Sequence, residues 1–173
     1  SYKKISNILN DEKVLDKTFK IGASTFFQIN PKSAENIFGY VKNYIRTHFD
    51  KPIILDAYAG ITSFGICMSD VCSKVVSVEE NTESCDMAKD VVNLNKLNNI
   101  EINNMDAGEF FAKEKREFDA IILDPPRKGC TTQSLDEAYR LSRDTIIYIS
   151  CNPATLARDL KYLVQKGCTV KSI

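Results

Sequence analysis

No apolar run in the 173 residues approaches the ~20 needed to cross a bilayer, so no membrane-spanning helix is expected. The opening stretch SYKKISNILNDEK has no continuous apolar core of the kind a secretory signal carries. It also lacks an initiator Met, and the chain therefore reads as a fragment of a longer protein; the cytoplasmic setting expected for it rests on its cysteines, which read as reduced thiols. The six cysteines (Cys67, Cys72, Cys85, Cys130, Cys151 and Cys168) form no C-x-x-C pair, and no His stands at zinc spacing from them. No metal site is expected, and the chain is too large to need disulfide staples; most of these thiols read as small, reduced core residues. Net charge is also absent: 23 Lys and Arg balance 23 Asp and Glu. A general electrostatic pull on nucleic acid would need that charge to be segregated, or supplied by another domain. Repeats, low-complexity tracts and signs of an obligate protein partner are missing as well.

What is present is one soluble domain's worth of core. Hydrophobic residues make up 43% and charged residues 27%, the proportions of a globular protein. From residue 52 onward short β-branched runs recur between breakers: PIILDA (52–57), KVVSVE (74–79), IEINN (100–104), FDAIILD (118–124), TIIYIS (145–150) and CTVKSI (168–173). Several are apolar at consecutive positions, as suits strands covered on both faces. Helical patterns fill the gaps. Residues 82–98 carry Met87, Val91, Leu94 and Leu97 at helical spacing behind a candidate N-cap, Asn81. Residues 153–167 have Pro153 in the first turn, an apolar face of Leu156, Leu160, Leu163 and Val164, and Gly167 as the stop. Residues 31–49 form a helix leading into the first strand, and His48 at its end suits the helix dipole without needing a function. Alternation of this kind predicts an α/β fold: a mostly parallel sheet with helices on both faces. Residues 1–30 differ in character and are expected to be the tail of a preceding domain, with FKIGASTFFQIN (19–30) as a strand or loop docking on a domain of residues 31–173.

In an open parallel sheet, ligands bind beyond the carboxyl ends of the strands, near the point where strand order reverses. Polar groups collect at those ends: LDAYAGITSFG (55–65), Glu79-Glu80, NNMDAGEFF (103–111), DPPRKGC (124–130) and Ser150-Cys151-Asn152-Pro153. A Gly-containing turn after the first strand, followed by an acid at the end of the second, suits a nucleoside-bearing cofactor whose ribose diol donates to that acid. A solvated strand-end acid is the plain alternative for Glu79, and AYAGITSFG is a poor G-x-G-x-x-G. The DPPRKGC segment is stiff, because two prolines fix φ and remove two donors. It presents Asp124 at the ligand edge; the plain alternative is a Pro-rich turn with a solvated basic tip.

Cys151 lies beside a strand end and just ahead of a helix. A thiolate there is favoured by the helix dipole, which makes a nucleophile the preferred reading. A buried core thiol fits Cys67, Cys85 and Cys168 better.

Five stretches in order carry a family resemblance: FFQIN (26–30), LDAYAG (55–60), VEE (78–80), LDPPRKG (123–129) and SCNPATLARDL (150–160). Covering about residues 19–165, they resemble the S-adenosylmethionine-dependent RNA uracil-5-methyltransferases, which make 5-methyluridine in tRNA or rRNA. The pairing of DPPRKG with SCNPATLARDL is the specific part. The resemblance implies a Rossmann-like class I methyltransferase sheet, here lacking its last strand. It implies that Cys151 is a nucleophile adding to carbon 6 of uracil. It also implies that Gln28, Tyr58, Glu79, Asp106 and Asp124 contact S-adenosylmethionine, with Asp106 near the adenine. The substrate implied is a uridine in an RNA loop, where bases are most easily splayed out. Arg127, Lys128 and Arg158 could meet phosphates, although solvated charge is the plainer role for each.

Three departures temper this expectation. Thr62 stands where the family usually has a second glycine. The family's proton-abstracting Glu would lie beyond Ile173, so these residues alone are expected to turn over poorly or not at all. An RNA-binding barrel, or an iron–sulfur cluster, is expected only in a region preceding this chain. Two alternatives share some of the features: an RNA cytosine-5 methyltransferase, and a non-catalytic RNA- or nucleotide-binding module.

Overall fold

The computed structural model describes residues 10–21 and 31–172. They form β1 (Asn10–Val14), β2 (Lys17–Ile21), α1 (Pro31–His48), β3 (Ile53–Ala57), α2 (Ser63–Met68), β4 (Lys74–Glu79), α3 (Thr82–Leu94), β5 (Ile100–Asn104), α4 (Ala107–Lys113), β6 (Phe118–Leu123), α5 (Thr132–Leu141), β7 (Ser142–Tyr148) and α6 (Pro153–Gln165). β1 and β2 make an antiparallel hairpin. The other strands make one parallel sheet in the order β5-β4-β3-β6-β7.

That the sheet is covered on both faces follows from the residue pattern. Along β3, Ile54 faces one core layer while Leu55 and Ala57 are packed into the other. β4 and β6 divide in the same way, with Val75 and Ile122 on the first side and Val76, Val78, Ile121 and Leu123 on the second. Helices α1, α2 and α3 cover the first face through Phe38, Ile45, Ile66 and Val91. Helices α4, α5 and α6 cover the second through Phe111, Leu135 and Leu163. Strands buried on both sides have no polar alternation, which is why they read as continuous apolar runs. The strands run outward from β3 to β5, and the chain then returns to lay β6 on the other side of β3. The reversal puts the crevice between the carboxyl ends of β3 and β6.

Helix ends also follow sequence. Asn81 caps α3 by accepting from Ser84 N, and Pro153 occupies the first turn of α6. Gly167 takes φ of 114° just past the end of α6, a conformation that favours glycine.

The structure corrects four expectations. Residues 168–172 form no strand: Cys168 N closes α6 by donating to Leu163 O, and Val170 is 48% exposed. A strand needs a ladder, and this segment has no sheet partner among the described residues. β7 starts at Ser142, directly after α5, rather than at Thr145. The buried face of α3 is Cys85, Ala88 and Val91, with Leu94 turned outward; small residues let the helix lie close on the sheet. The buried residues of α6 are Asp159 and Leu163, while Val164 is 47% exposed. The charge of Asp159 disguised that face, and its hydrogen bonds explain why burial is tolerated.

Candidate active site

The carboxyl ends of β3, β4, β5 and β6 surround a cavity of about 240 Å³ lined by Tyr58, Glu79, Glu80, Asp106, Asp124 and Pro126, among others. Four of the six residues singled out from sequence therefore meet at one place. Gln28 lies outside the described residues. Cys151 is exposed and does not line this cavity; it sits one strand further along, after β7. Its loop nevertheless abuts the cavity wall, because Ile149 N donates to Leu123 O (2.8 Å) and Asn152 Nδ2 to Arg127 O (3.2 Å).

Two of the carboxylates are held from behind, Glu79 and Asp106. Glu79 accepts from Gly60 N through Oε2 and from Asn81 N through Oε1, both at 2.8 Å, and so ties the turn after β3 to the end of β4. A carboxylate offers about four lone pairs. One remains on each oxygen, which is what a ribose diol requires. Asp106 caps α4 by accepting from Glu109 N at 3.0 Å. Its position after β5 puts it at the far end of the cavity from Asp124. Burial pushes the Asp124 carboxyl up to about 6. Burial also pushes the Tyr58 phenol up, so it remains a donor beside Cys130 and Ser134.

The turn after β3 is built under strain. Tyr58, Gly60 and Thr62 all take left-handed φ, of 60°, 54° and 61°. Thr62 thus adopts a glycine-like conformation, where a β-branched residue is an outlier. The turn closes through Thr62 N on Ala59 O at 2.7 Å. Beneath it lies a buried polar group that the motif reading did not single out. Asp56 is fully buried and accepts from Gly65 N at 2.9 Å. Its Oδ1, Thr62 Oγ1 and Ser77 Oγ have no hydrogen-bond partner among the described residues. Burial, with the neighbouring charges of Asp124 and Glu79 adding to it, pushes the Asp56 carboxyl up to about 8. Its position in LDAYAG was visible in sequence; its burial was not.

A larger cavity of about 500 Å³ lies against α5 and α6, lined by Cys130, Thr132, Leu135, Arg158, Tyr162 and Gln165, among others. Volume alone would favour it. The smaller cavity has the strand-end acids and the switch-point position, and is the better candidate for a nucleoside-bearing ligand. The arrangement can hold a cationic nucleoside cofactor and present a free thiol at the neighbouring lip.

Fold and cavity together define an α/β nucleotide-cofactor domain of the open, switch-point type. The chain belongs to the tRNA (uracil-5-)-methyltransferase family, whose model matches residues 4–172. An uncharacterized RNA methyltransferase of Clostridium tetani is 35% identical over 162 residues, covering 94% of this chain and 35% of that protein. One from Thermotoga maritima is 36% identical over 152 residues, covering 88% and 34%. The solved tRNA (uracil-54, C5)-methyltransferase of Pyrococcus abyssi, in complex with S-adenosyl-L-homocysteine, matches with a TM-score of 0.78 and 31% identity, over 90% of this chain and 38% of that one. A methyltransferase of Agrobacterium tumefaciens shares the fold with a TM-score of 0.75 at 16% identity, over 94% of this chain and 60% of that one. The chain thus spans about a third of the length of the curated relatives.

Proposed function

We propose that the whole protein transfers a methyl group from S-adenosylmethionine to carbon 5 of a uridine in RNA, and that these 173 residues supply the cofactor cavity and the nucleophile. The observation that carries this reading is an exposed thiol, Cys151, at the lip beside an acid-lined switch-point cavity. When bound, the cofactor supplies a methyl group on a positively charged sulfur. Glu79 holds the ribose diol, Asp106 the adenine end, and Asp124 and Tyr58 line the wall nearest the turn after β3. Carboxylates around the cavity favour a cation.

Carbon 5 of uracil is a weak nucleophile. The Cys151 thiolate adds to carbon 6, and the ring electrons move to make an enolate. Carbon 5 then takes the methyl group, and the bonding pair stays on the departing sulfur. A base removes the proton from carbon 5, the bond from sulfur to carbon 6 breaks, and the thiolate is restored. Reaching the base requires the uridine to leave its stack. Six free thiols are compatible with a reducing, cytoplasmic setting.

RNA carrying 5-fluorouridine at the target position tests the thiol step, because fluorine on carbon 5 cannot leave as a proton does. The full-length protein should form a denaturant-stable adduct that maps to Cys151 and disappears in Cys151→Ala. Wild-type protein without an adduct, or an adduct that persists in Cys151→Ala, defeats the assignment.

A further inference from the structure

The two most specific stretches of the sequence are physically bolted together. Helix α6 turns a row of polar side chains onto the loop that follows β6. Asn152 Nδ2 and Thr155 Oγ1 both donate to Arg127 O, at 3.2 and 3.3 Å. Arg158 Nη2 donates to Lys128 O at 3.0 Å and to Cys130 O at 3.3 Å. Asp159, only 1% exposed, accepts from Cys130 N (2.9 Å) and Tyr148 OH (2.5 Å) through Oδ2, and from Arg158 Nε (2.8 Å) through Oδ1. One carboxylate therefore joins the loop after β6, strand β7 and helix α6.

The loop cannot hold itself in place. Pro125 and Pro126 have no N–H to offer, and Gly129 N donating to Pro126 O is a single local bond. Gly129, at φ of 75°, is pressed so close that an added Cβ would stand 2.5 Å from Asp159 Oδ2 and 2.6 Å from Arg158 Nη2. The loop begins at Asp124 and Pro126, which line the cofactor cavity, and the helix begins just after Cys151.

We propose that Arg158 and Asp159 are positioning residues: they lock the loop of residues 124–130 onto α6, and so fix the cavity wall and the Cys151 thiol in one mutual register. This inference rests on the methyl-transfer reading for its catalytic consequence, though not for its mechanical one. Arg158 is a guanidinium used as a fork on backbone carbonyls, which a lysine could not reproduce. Its role here is to hold the two walls of the site, rather than to bind a phosphate of the substrate.

The test uses the full-length protein carrying Arg158→Ala, with Lys161→Ala as a control for an exposed cation one turn on. Arg158 is half-exposed at 57%, so its removal leaves no large cavity in the core. Amide hydrogen exchange should quicken at least tenfold in peptides covering 127–131 and 150–156 in Arg158→Ala, with β3, β4 and β6 unchanged and Lys161→Ala like wild type. The kcat should fall 10- to 100-fold while KM for RNA stays within threefold. Unchanged exchange in those two segments overturns the lock. A raised RNA KM with kcat retained overturns positioning in favour of a phosphate contact. Faster exchange throughout the sheet overturns it in favour of general structural loss. Wild-type protein that makes no methylated RNA would overturn the functional reading instead, while the exchange measurement still decides the lock.

Discussion

Thr62, Asp56 and Asp124 show how one small volume combines several unfavourable states. Thr62 holds a left-handed backbone, and the hydroxyls of Thr62 and Ser77 lie buried beside a buried acid, without hydrogen-bond partners among the described residues. Each left-handed non-glycine residue costs roughly 1–2 kcal/mol, and such strain persists where the surroundings over-determine it. Asp124 gives this charge distribution a measurable consequence. Its carboxyl titrates at about 6, above the usual range, because burial disfavours the ion. The ionised form predominates above that pH, and a cationic ligand binds the ionised form better. Affinity for S-adenosylmethionine should therefore fall as pH drops from 7 to 5, by at most about tenfold per unit for one linked proton. Asp124→Asn should bind more weakly at pH 7 and lose most of the pH dependence. Calorimetry across that range decides it: a wild-type affinity that is flat or rises toward pH 5 would contradict the assignment of Asp124 to the cavity. The strand-end acids were legible from sequence because a run of buried apolar residues points to them. Asp159 was not. Its partners Cys130 and Tyr148 lie 29 and 11 residues away, and nothing local distinguishes it from a solvated helix acid.

The central strands were similarly legible, because their apolar runs reflect their own burial, whereas for α3 and α6 the sequence showed that a helix exists but not which face it buries. KVVSVE and IEINN coincide with β4 and β5. A docking strand or loop from Phe19 onward was legible, but β1 and its pairing with β2 were not. The hairpin turn runs through Leu15, which takes φ of 54° where Asn or Gly would have signalled a turn. Its fixed place depends on partners distant in the chain. Thr18 N donates to Asn95 Oδ1 at 2.9 Å, and Asn95 Nδ2 donates to Thr18 O at 2.7 Å, so a side-chain amide at the end of α3 acts like a neighbouring strand. Phe19 is fully buried in the layer shared with α1, α2 and α3. A hairpin alone is marginal in water, so this one gains its stability from that docking. Phe19→Ala should cost about 3–5 kcal/mol in urea unfolding, the range for a large aromatic removed from a core. A loss below about 1 kcal/mol would mean that the hairpin is not part of the cooperative unit.

At the scale of the molecule, the site belongs to no single element. Tyr58 follows β3, Glu79 ends β4, Asp106 follows β5 and Asp124 follows β6, and these come together only when the whole sheet has its order. A ligand held by that convergence binds the folded chain and not the unfolded one, so it must stabilise the fold. At a free concentration 100 times its Kd, the stabilisation is about 2.7 kcal/mol. For a domain of this size each kcal/mol moves Tm by roughly 2–4 °C, which gives a rise of about 5–10 °C. S-Adenosylhomocysteine is the appropriate probe, since it has the nucleoside and amino-acid ends without a methyl group to transfer. The 173-residue chain should show that rise in a thermal melt. Glu79→Ala should show little of it, because the ribose then has no carboxylate to meet and the turn after β3 loses its tie through Gly60 N. Cys151→Ala should keep the full shift, as the thiol lies outside the cavity lining. An absent shift in wild type would mean that this chain does not hold the cofactor, whereas a shift that survives Glu79→Ala intact would place the cofactor elsewhere, with the larger cavity against α5 and α6 next in line.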